Sequence, residues 1–423
     1  MQGFFDSLTS SLSKLIFQTS PKNKLFEKTN ILYTTFDEVP APKGASTHIL
    51  AFVKRLGEVF GNVALVTPAE ADGDAEVILP GVTQLRLGVP GSNPIERTRI
   101  FREKLKRVLR QQLFHVAHFR SPLEGIPVVD PENHRGAKLI YEVNGFPSVE
   151  MPYHYPALDA PLIRKLRSME RVCLASVDQV VTVSQVNRDA IVARMNDAQL
   201  PVADKISIIP NGVDTDVFRY SAPELSNRTG SLQLVYVGTV SPWQGIHVLL
   251  EAVELINKDV PCQLTIVGKQ NRRRNRELGK VIERLELADK VRFVTAERPE
   301  QVCEQLHAAD ISVAPLMKTA RNCSQGCCPL KIIEAMASGC PLIASGLPVV
   351  DELADPTKHY WRCKPGDARN LKNVVLEVWG QPAEAKIRST AARKHVVDQL
   401  TWDHATDRLI EVYNRLLKLP SSH

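Results

Sequence analysis

Short apolar runs rich in Val and Ile alternate along the chain with segments of helical period. Uniformly apolar runs predict strands buried on both faces, the pattern of parallel sheets covered by helices. The first series is ILYTT (31–35), VALVT (63–67), VAHF (116–119), KLIYEV (138–143), QVVTVS (179–184) and ISIIP (206–210). A second series follows: LQLVYVG (232–238), QLTIVG (263–268), VRFVTA (291–296), ISVAPL (311–316) and PLIAS (341–345). Between them lies FRYSAPELSNRTGSL (217–231), polar with Pro and Gly, which reads as a linker. The expected architecture is α/β, with two Rossmann-like doubly wound parallel-sheet domains over residues 27–220 and 221–399. Ligands of open parallel sheets bind beyond the carboxyl ends of the strands. Two such sheets are expected to face a central cleft and place the site there.

Three helical segments stand outside this alternation. In residues 1–26, Phe4, Phe5, Leu8, Leu12, Leu15 and Ile16 recur at helical spacing. They predict an amphipathic helix that either packs on the body or lies in a membrane interface. Lys14 is the one basic residue before Lys22, so attraction to anionic lipid is weak there. IERTRIFREKLKRVLRQQLF (95–114) carries seven Lys or Arg against two Glu, with Phe101, Leu105, Val108 and Gln112 along one face. It reads as a solvated helix or as a basic surface for anionic lipid. HATDRLIEVYNRLLK (404–418) predicts a last helix with Leu409, Val412, Leu416 and Leu417 on one face.

Composition narrows the classes. With 43% hydrophobic and 24% charged residues in 423, the chain is neither disordered nor a polytopic membrane protein. A net charge of +6 falls short of a dedicated nucleic-acid binder, so no nucleic-acid partner is expected. The 8 cysteines include no CxxC and no Cys/His cluster of zinc-finger spacing, which predicts reduced thiols and no metal site. No run of 18 apolar residues and no signal-peptide pattern occurs, so the expected location is cytoplasmic.

The most informative stretch is SQGCCPLKIIEAMASGCPLIAS (324–345). Pro329 suits the first turn of a helix and Gly339 its stop. The backbone N–H groups near Leu330 and Lys331 then form an anion site, which Lys331 reinforces with a full charge. Glu334, one turn on, can accept two hydrogen bonds from a cis-diol such as a ribose. The bland alternative is a helix end with a surface Lys–Glu pair. Asp214-Thr215-Asp216 looks like a DxD metal motif but sits in a turn, where a structural role is expected.

The wording of the chain from about residue 31 to 418 resembles the retaining glycosyltransferases of family 4, which have the GT-B fold. The resemblance rests on PAPKGASTHILAFVKRL (40–56), VTVSQVNRDAIV (181–192), IIPNGVDTDVF (208–218), LVYVGTVSPWQGIHVLLEAVELI (234–256), LTIVGK (264–269), VRFVTAERPEQVCEQLHAADISVAPL (291–316) and PLKIIEAMASGCPLIAS (329–345). IIPNGVD and KIIEAMASG are the specific pieces. The closing TWDHATDRLIEVYNRLL (401–417) resembles the family's last helix, about 400–418, which crosses back onto the first domain.

The resemblance implies transfer of a sugar from a nucleotide diphosphate sugar, with UDP-sugar ahead of GDP-sugar. Retention at the anomeric carbon is expected, with no cofactor and no metal required. The acceptor would be a saccharide, a lipid-linked saccharide or a small molecule, in cell-surface polysaccharide or glycolipid assembly. Peripheral contact with the membrane would run through residues 1–26 and 95–114. Lys331, Asn144 and Glu334 would be catalytic. Gly44, Gly238, Thr239, Gln244, Gly245, Thr295, Ala296, Gly326, Cys328 and Leu330 would join Lys331 and Glu334 in donor binding. Ser46, His48, His118, Arg120 and His154 are acceptor-side candidates.

Three departures from the family pattern stand out. Gly326 takes the place of the first Glu of an E-x7-E pair. Thr239 and Gln244 take the places of an Arg and a Lys that face the diphosphate, so the charge must come from Lys331, with Arg272 or Arg321 behind it. Asn144 takes the place of a catalytic-cleft His; it can donate a hydrogen bond but cannot shuttle a proton. The rival readings are an enzyme making a soluble disaccharide or glycoside of sucrose type, and a catalytically weakened nucleotide-sugar-binding scaffold.

Overall fold

The computed structural model describes residues 29–196, 202–225, 230–268 and 272–419, without the side chains of 272–275. The helix expected within residues 1–26 and the Arg272 side chain lie outside the described residues, as do residues 226–229 of the expected linker. The chain divides into two compact units. The first runs to Val183, resumes over Asn187–Ile209 and takes in the chain from Thr406. The second comprises Ser184–Val186 and Pro210–Ala405.

The first unit holds an eight-stranded sheet. Its strands are β1 (Ile31–Thr34), β2 (Val63–Ala69), β3 (Glu76–Leu79), β4 (Val82–Gly88), β5 (Val116–Phe119), β6 (Lys138–Val143), β7 (Gln179–Thr182) and β8 (Ile206–Ile208), in the order β3-β4-β2-β1-β5-β6-β7-β8. All pairings are parallel except β3 with β4, so this sheet is mixed, where an all-parallel one was expected. The β3–β4 hairpin escapes the apolar pattern because β3 is short and half-exposed and β4 buries polar side chains. Gln84 is buried because its amide donates to the Val39 carbonyl at 2.7 Å and to Thr67 Oγ1 at 3.0 Å.

The second unit holds a six-stranded, all-parallel sheet of β9 (Leu232–Val237), β10 (Cys262–Val267), β11 (Val291–Val294), β12 (Ile311–Ala314), β13 (Leu342–Ser345) and β14 (Trp361–Cys363). Its order is β11-β10-β9-β12-β13-β14. Counted within the unit this is 3-2-1-4-5-6, the dinucleotide-binding order, whose direction reverses between β9 and β12. Strand β14 was not anticipated; three residues with a charged centre carry too little period to read.

Each unit closes over its own apolar core. In the first, Leu32, Phe101, Phe119, Tyr141 and Leu174 pack together from strands and covering helices. In the second, Tyr236, Leu249, Val253, Ile266, Ile343 and Val375 do so. Tyr413, on the last helix (Trp402–Leu417), packs its ring against Phe60 and the His118 imidazole in the first unit.

At the point of reversal in the second unit, the loop after β9 is pressed onto the segment after β12. Gly245 has φ +72°, and a Cβ there would lie 1.8 Å from the Pro315 carbonyl oxygen. The Met317 N–H donates to the Trp243 carbonyl at 2.9 Å. Gly245→Ala therefore meets both backbone strain and a clash. It is expected to destabilise the protein by more than about 1 kcal/mol, read as a lower midpoint of urea unfolding by circular dichroism.

Candidate active site

The switch point of the second unit gathers most of the donor-side candidates. The helix Leu330–Ser338 starts on Pro329, with no side-chain cap and no acidic residue in its first turn, and stops at Gly339 with φ 85°. Pro329 thus occupies the cap position, one residue earlier than the first-turn place expected for it. Among the described residues, nothing accepts a hydrogen bond from the N–H of Leu330 or Lys331. Both groups stay available to an anion, and the helix dipole favours one.

Lys331 does not pair with Glu334. Its ammonium donates to Gln244 Oε1 at 2.7 Å and stands 4.1 Å from the centre of the Tyr236 ring. Burial pushes the Lys331 pKa down to about 7, against the opposing charge of Glu334. Burial likewise pushes the Glu334 carboxyl up to about 7, against the pull of Lys331. Among the described residues Glu334 receives no hydrogen bond. The surface Lys–Glu pair is thereby set aside. Two partly buried, oppositely charged groups one helical turn apart are each left without a counter-ion in contact, an arrangement that costs stability unless a ligand completes it.

Of the remaining donor-side residues, Gly238 and Gln244 lie against Lys331. Gly238 has φ +134°, and a Cβ there would lie 2.7 Å from Lys331 Nζ, so the missing side chain makes room for the ammonium. The Thr239 carbonyl accepts from the Tyr236 hydroxyl at 2.7 Å. Gly326 closes a turn over Arg321–Gln325 with φ 87° and ψ 160°, a region that disfavours any side chain; this explains why no Glu stands there. Cys328 is buried, with its carbonyl accepting from the Asn211 side chain at 2.8 Å and its sulfur from the Asn211 N–H at 3.2 Å. Burial holds its thiol well above the ordinary range, so the sulfur stays protonated. Thr295 and Ala296 follow β11, exposed and half-buried respectively. Arg321 lies 5.0 Å from the Trp243 ring and adds to the positive field at Lys331. Asn322, which sequence reasoning missed, ties the two loops together by donating to the Trp243 carbonyl at 2.9 Å and the Met317 carbonyl at 2.8 Å.

In the first unit the candidates converge on one buried carboxylate that the sequence did not single out, Glu142 at the end of β6. Its Oε1 accepts from Arg120 Nε at 2.8 Å and from the Asn144 amide, and lies 3.0 Å from His48 Nε2. Its Oε2 accepts from the Tyr33 hydroxyl at 2.6 Å and lies 3.2 Å from His118 Nε2. Burial alone would raise its pKa, but Arg120, His48 and the His118 hydrogen bond outweigh it and hold the carboxyl well below its ordinary range. His118 is pushed down by burial and so stays neutral. With Nε2–H turned to Glu142, its Nδ1 accepts from the Tyr413 hydroxyl at 2.9 Å. Arg120 also reaches Asp37 at 3.0 Å, and Asp37 reaches Lys43 at 2.7 Å, just before Gly44 opens the helix Gly44–Phe60.

This network takes in most of the acceptor-side candidates. His118, His48 and Arg120 are committed to Glu142, and Ser46 is buried with its hydroxyl accepting from the Ala41 N–H at 2.9 Å. Through these contacts they brace the loop after β1. His154 alone of the five is exposed, on the last turn of Pro147–His154. Asn144 joins the same network: its amide nitrogen donates one of its two N–H groups to Glu142, which can only accept. Its Oδ1 is left buried and unpartnered. Asp214 is structural, its Oδ1 accepting from the N–H of Asp216 at 2.9 Å and of Val217 at 3.2 Å. Among the described residues no group of three His, Cys, Asp or Glu is arranged to hold a metal ion.

Comparison with known proteins assigns both units. Residues 42–217 match the model of "Glycosyltransferase Family 4" and residues 231–381 that of "Glycosyl transferases group 1". The chain belongs to the family 4 glycosyltransferases. It is 25% identical over 275 residues to a glycogen synthase of Mycobacterium tuberculosis, a match covering 63% of this chain and 61% of that protein. It is 26% identical over 215 residues to the amylovoran biosynthesis glycosyltransferase AmsK of Erwinia amylovora, covering 51% of this chain and 52% of that one. The matches thus span about half to three fifths of these relatives. Among solved structures, the sucrose-phosphate synthase of Thermosynechococcus elongatus aligns with TM-score 0.75 at 20% identity, covering 92% of this chain and 100% of that one. HepE of Anabaena, solved in complex with UDP and glucose, aligns with TM-score 0.71 at 15% identity, over 92% and 100%. The fold is GT-B.

Glu142 sets one expectation for stability. Glu142→Ala leaves the Arg120 guanidinium buried with fewer partners and is expected to cost about 3–5 kcal/mol in urea unfolding. Because the folded-state pKa is depressed, the wild-type contribution is complete above the ordinary carboxylate range and is lost only as pH falls through the depressed value. The stability gap between the two proteins should therefore be flat near neutrality and narrow on acidification.

Proposed function

We propose that the chain transfers a hexosyl group from a nucleoside diphosphate sugar, UDP-sugar ahead of GDP-sugar, to an acceptor hydroxyl, with retention at the anomeric carbon. The observation that carries this reading is the pair at the switch point: an ammonium and a carboxylate, each lacking a counter-ion in contact, beside an uncapped helix N-terminus. Diphosphate oxygens would complete the Lys331 side and the open N–H groups, and a ribose cis-diol would complete Glu334. Catalysis then consists chiefly of stabilising charge on the departing diphosphate by fixed donors. Lys331, the helix N-terminus and Arg321 supply the positive charge, so neither a metal ion nor a cofactor is required. No protein base stands out, and the diphosphate itself would take the acceptor proton. The names of the relatives, which include a glycogen synthase and an amylovoran biosynthesis glycosyltransferase, support a saccharide acceptor, and the proposed setting is cell-surface polysaccharide or glycolipid assembly.

Glu334→Ala is expected to weaken UDP binding by about 1–3 kcal/mol in isothermal titration calorimetry, through lost charge-assisted hydrogen bonds. Slow release of UDP from a UDP-sugar by the wild-type chain distinguishes an enzyme from a binding scaffold. Unaltered UDP affinity in Glu334→Ala places the donor elsewhere.

We also propose that the first unit contacts an anionic membrane surface. The basic helix Pro94–Gln111 is a weaker support for this than its composition promised. Arg97 pairs with Glu38, Arg99 with Glu96, Lys104 with Asp72 and Lys106 with Glu103, while Arg102 and Arg110 bind internal acceptors. The helix Ala160–Ser176 supports it better. Arg164, Lys165, Arg167 and Arg171 are exposed on its outer face with no pairing among the described residues. Its one acid, Glu170, is buried against Arg194 at 2.7 Å. Changing the four cations to Gln is expected to weaken sedimentation with phosphatidylserine vesicles by about 1 kcal/mol per residue. A wild-type chain that ignores such vesicles favours a soluble glycoside product.

A further inference from the structure

Gln244 and Tyr236 converge on an atom that a purely structural lysine would have placed elsewhere. A lysine one turn before a glutamate ordinarily leans toward it. Lys331 instead reaches the loop after β9, where it donates to Gln244 Oε1 at 2.7 Å above the Tyr236 ring. Both partners are themselves held. The Tyr236 hydroxyl donates to the Thr239 carbonyl at 2.7 Å. Gln244 ends the short turn Pro242–Gln244, anchored by the Met317 N–H and the Asn322 amide on the Trp243 carbonyl and by the close approach of Gly245 to Pro315. Gly238 contributes by lacking a Cβ where the ammonium sits. An ammonium can only donate, so the Gln244 carbonyl must face it, and the amide NH2 is left without a partner among the described residues.

We infer that Gln244 and Tyr236 are positioning residues for Lys331, holding its ammonium where the second phosphate of a nucleoside diphosphate binds. The cation of the donor site is thus delivered from the helix Leu330–Ser338 onto the loop after β9, not from that loop itself. The inference rests on the donor-site reading above. A neutral amide holds the ammonium without cancelling its charge, which a carboxylate in the same place would do. The Lys331 pKa, pushed down to about 7 by burial, gives the arrangement a signature. A bound diphosphate favours the protonated amine, so binding takes up a proton above that pH and weakens as pH rises. Removing the Gln244 carbonyl withdraws a partner of the charged form and moves this weakening to lower pH.

The test compares UDP with UMP by calorimetry on the full chain between about pH 7 and 9, because both ligands share the ribose contact and differ in the phosphate that Lys331 would meet. Lys331→Gln is expected to cut the preference for UDP over UMP about tenfold or more. Gln244→Leu should cut it by about threefold to tenfold and shift its pH midpoint downward. The exchanged pair, Lys331→Gln with Gln244→Lys, should recover most of the preference lost in Lys331→Gln, since it returns a cation to the same place. Thermal melts of each variant show that it is folded, and Lys331→Gln should melt no lower than wild type because it removes a poorly solvated charge. An unchanged preference and pH midpoint in Gln244→Leu overturns the inference alone, as does an exchanged pair no better than Lys331→Gln. Failure of the wild-type chain to bind UDP, GDP or ADP overturns the donor-site reading and this inference with it.

Discussion

The contact between Gly245 and the Pro315 carbonyl is the constraint on which the second unit's site depends. Two loops leave neighbouring parallel strands, β9 and β12, at the point where the strand order reverses. Ordinary side chains would hold them apart; a glycine at positive φ lets the backbones meet. Once they meet, Trp243 and Gln244 are fixed relative to the turn and helix that carry Lys331. A partly buried ammonium, a partly buried carboxylate and an uncapped helix end then occupy one small region, and their local cost is borne by the apolar core beneath.

The first unit solves a different problem with the opposite means. Where the second leaves charges unpaired, Glu142 is surrounded by five donors from Tyr33, His48, His118, Arg120 and Asn144. Buried polar groups are tolerated when every valence is met, and such a cluster rigidifies what it joins. Here it ties β1, the helix Gly44–Phe60, β5, β6 and, through Tyr413, the last helix. Asn144 Oδ1 is left buried and unpartnered beside it. The contrast is informative: satisfied charge marks structure, and unsatisfied charge marks the place a ligand would complete.

Much of the architecture was legible because parallel strands buried on both faces have an unmistakable apolar signature. All eleven expected strands lie where β1, β2 and β5 to β13 are found, with ends shifted by a residue or two. The strands missed were those whose side chains break that signature: β3, half-exposed, β4, with buried Gln84, and β14, too short for any period. The network around the acceptor-side candidates was illegible for a related reason. His48, His118 and Arg120 have the composition of a binding surface, and only their common neighbour, Glu142, shows that they face inward. That neighbour lay within KLIYEV, where its own apolar flanks disguised it as part of a strand.

What the sequence determined by itself was local: where the strands run, that the helix near Pro329 ends at Gly339, and that Lys331 and Glu334 share a helical turn. These follow from period, from the backbone preferences of Gly and Pro, and from spacing, all of which act over a few residues. What the tertiary structure alone decided was which groups are paired. Gln244 and Lys331 lie 87 positions apart, and Tyr33 and Glu142 lie 109 apart. Whether a charge is neutralised, a histidine turned inward or an amide left with a spare acceptor depends on such distant neighbours, because electrostatics and hydrogen bonding act through space and not along the chain.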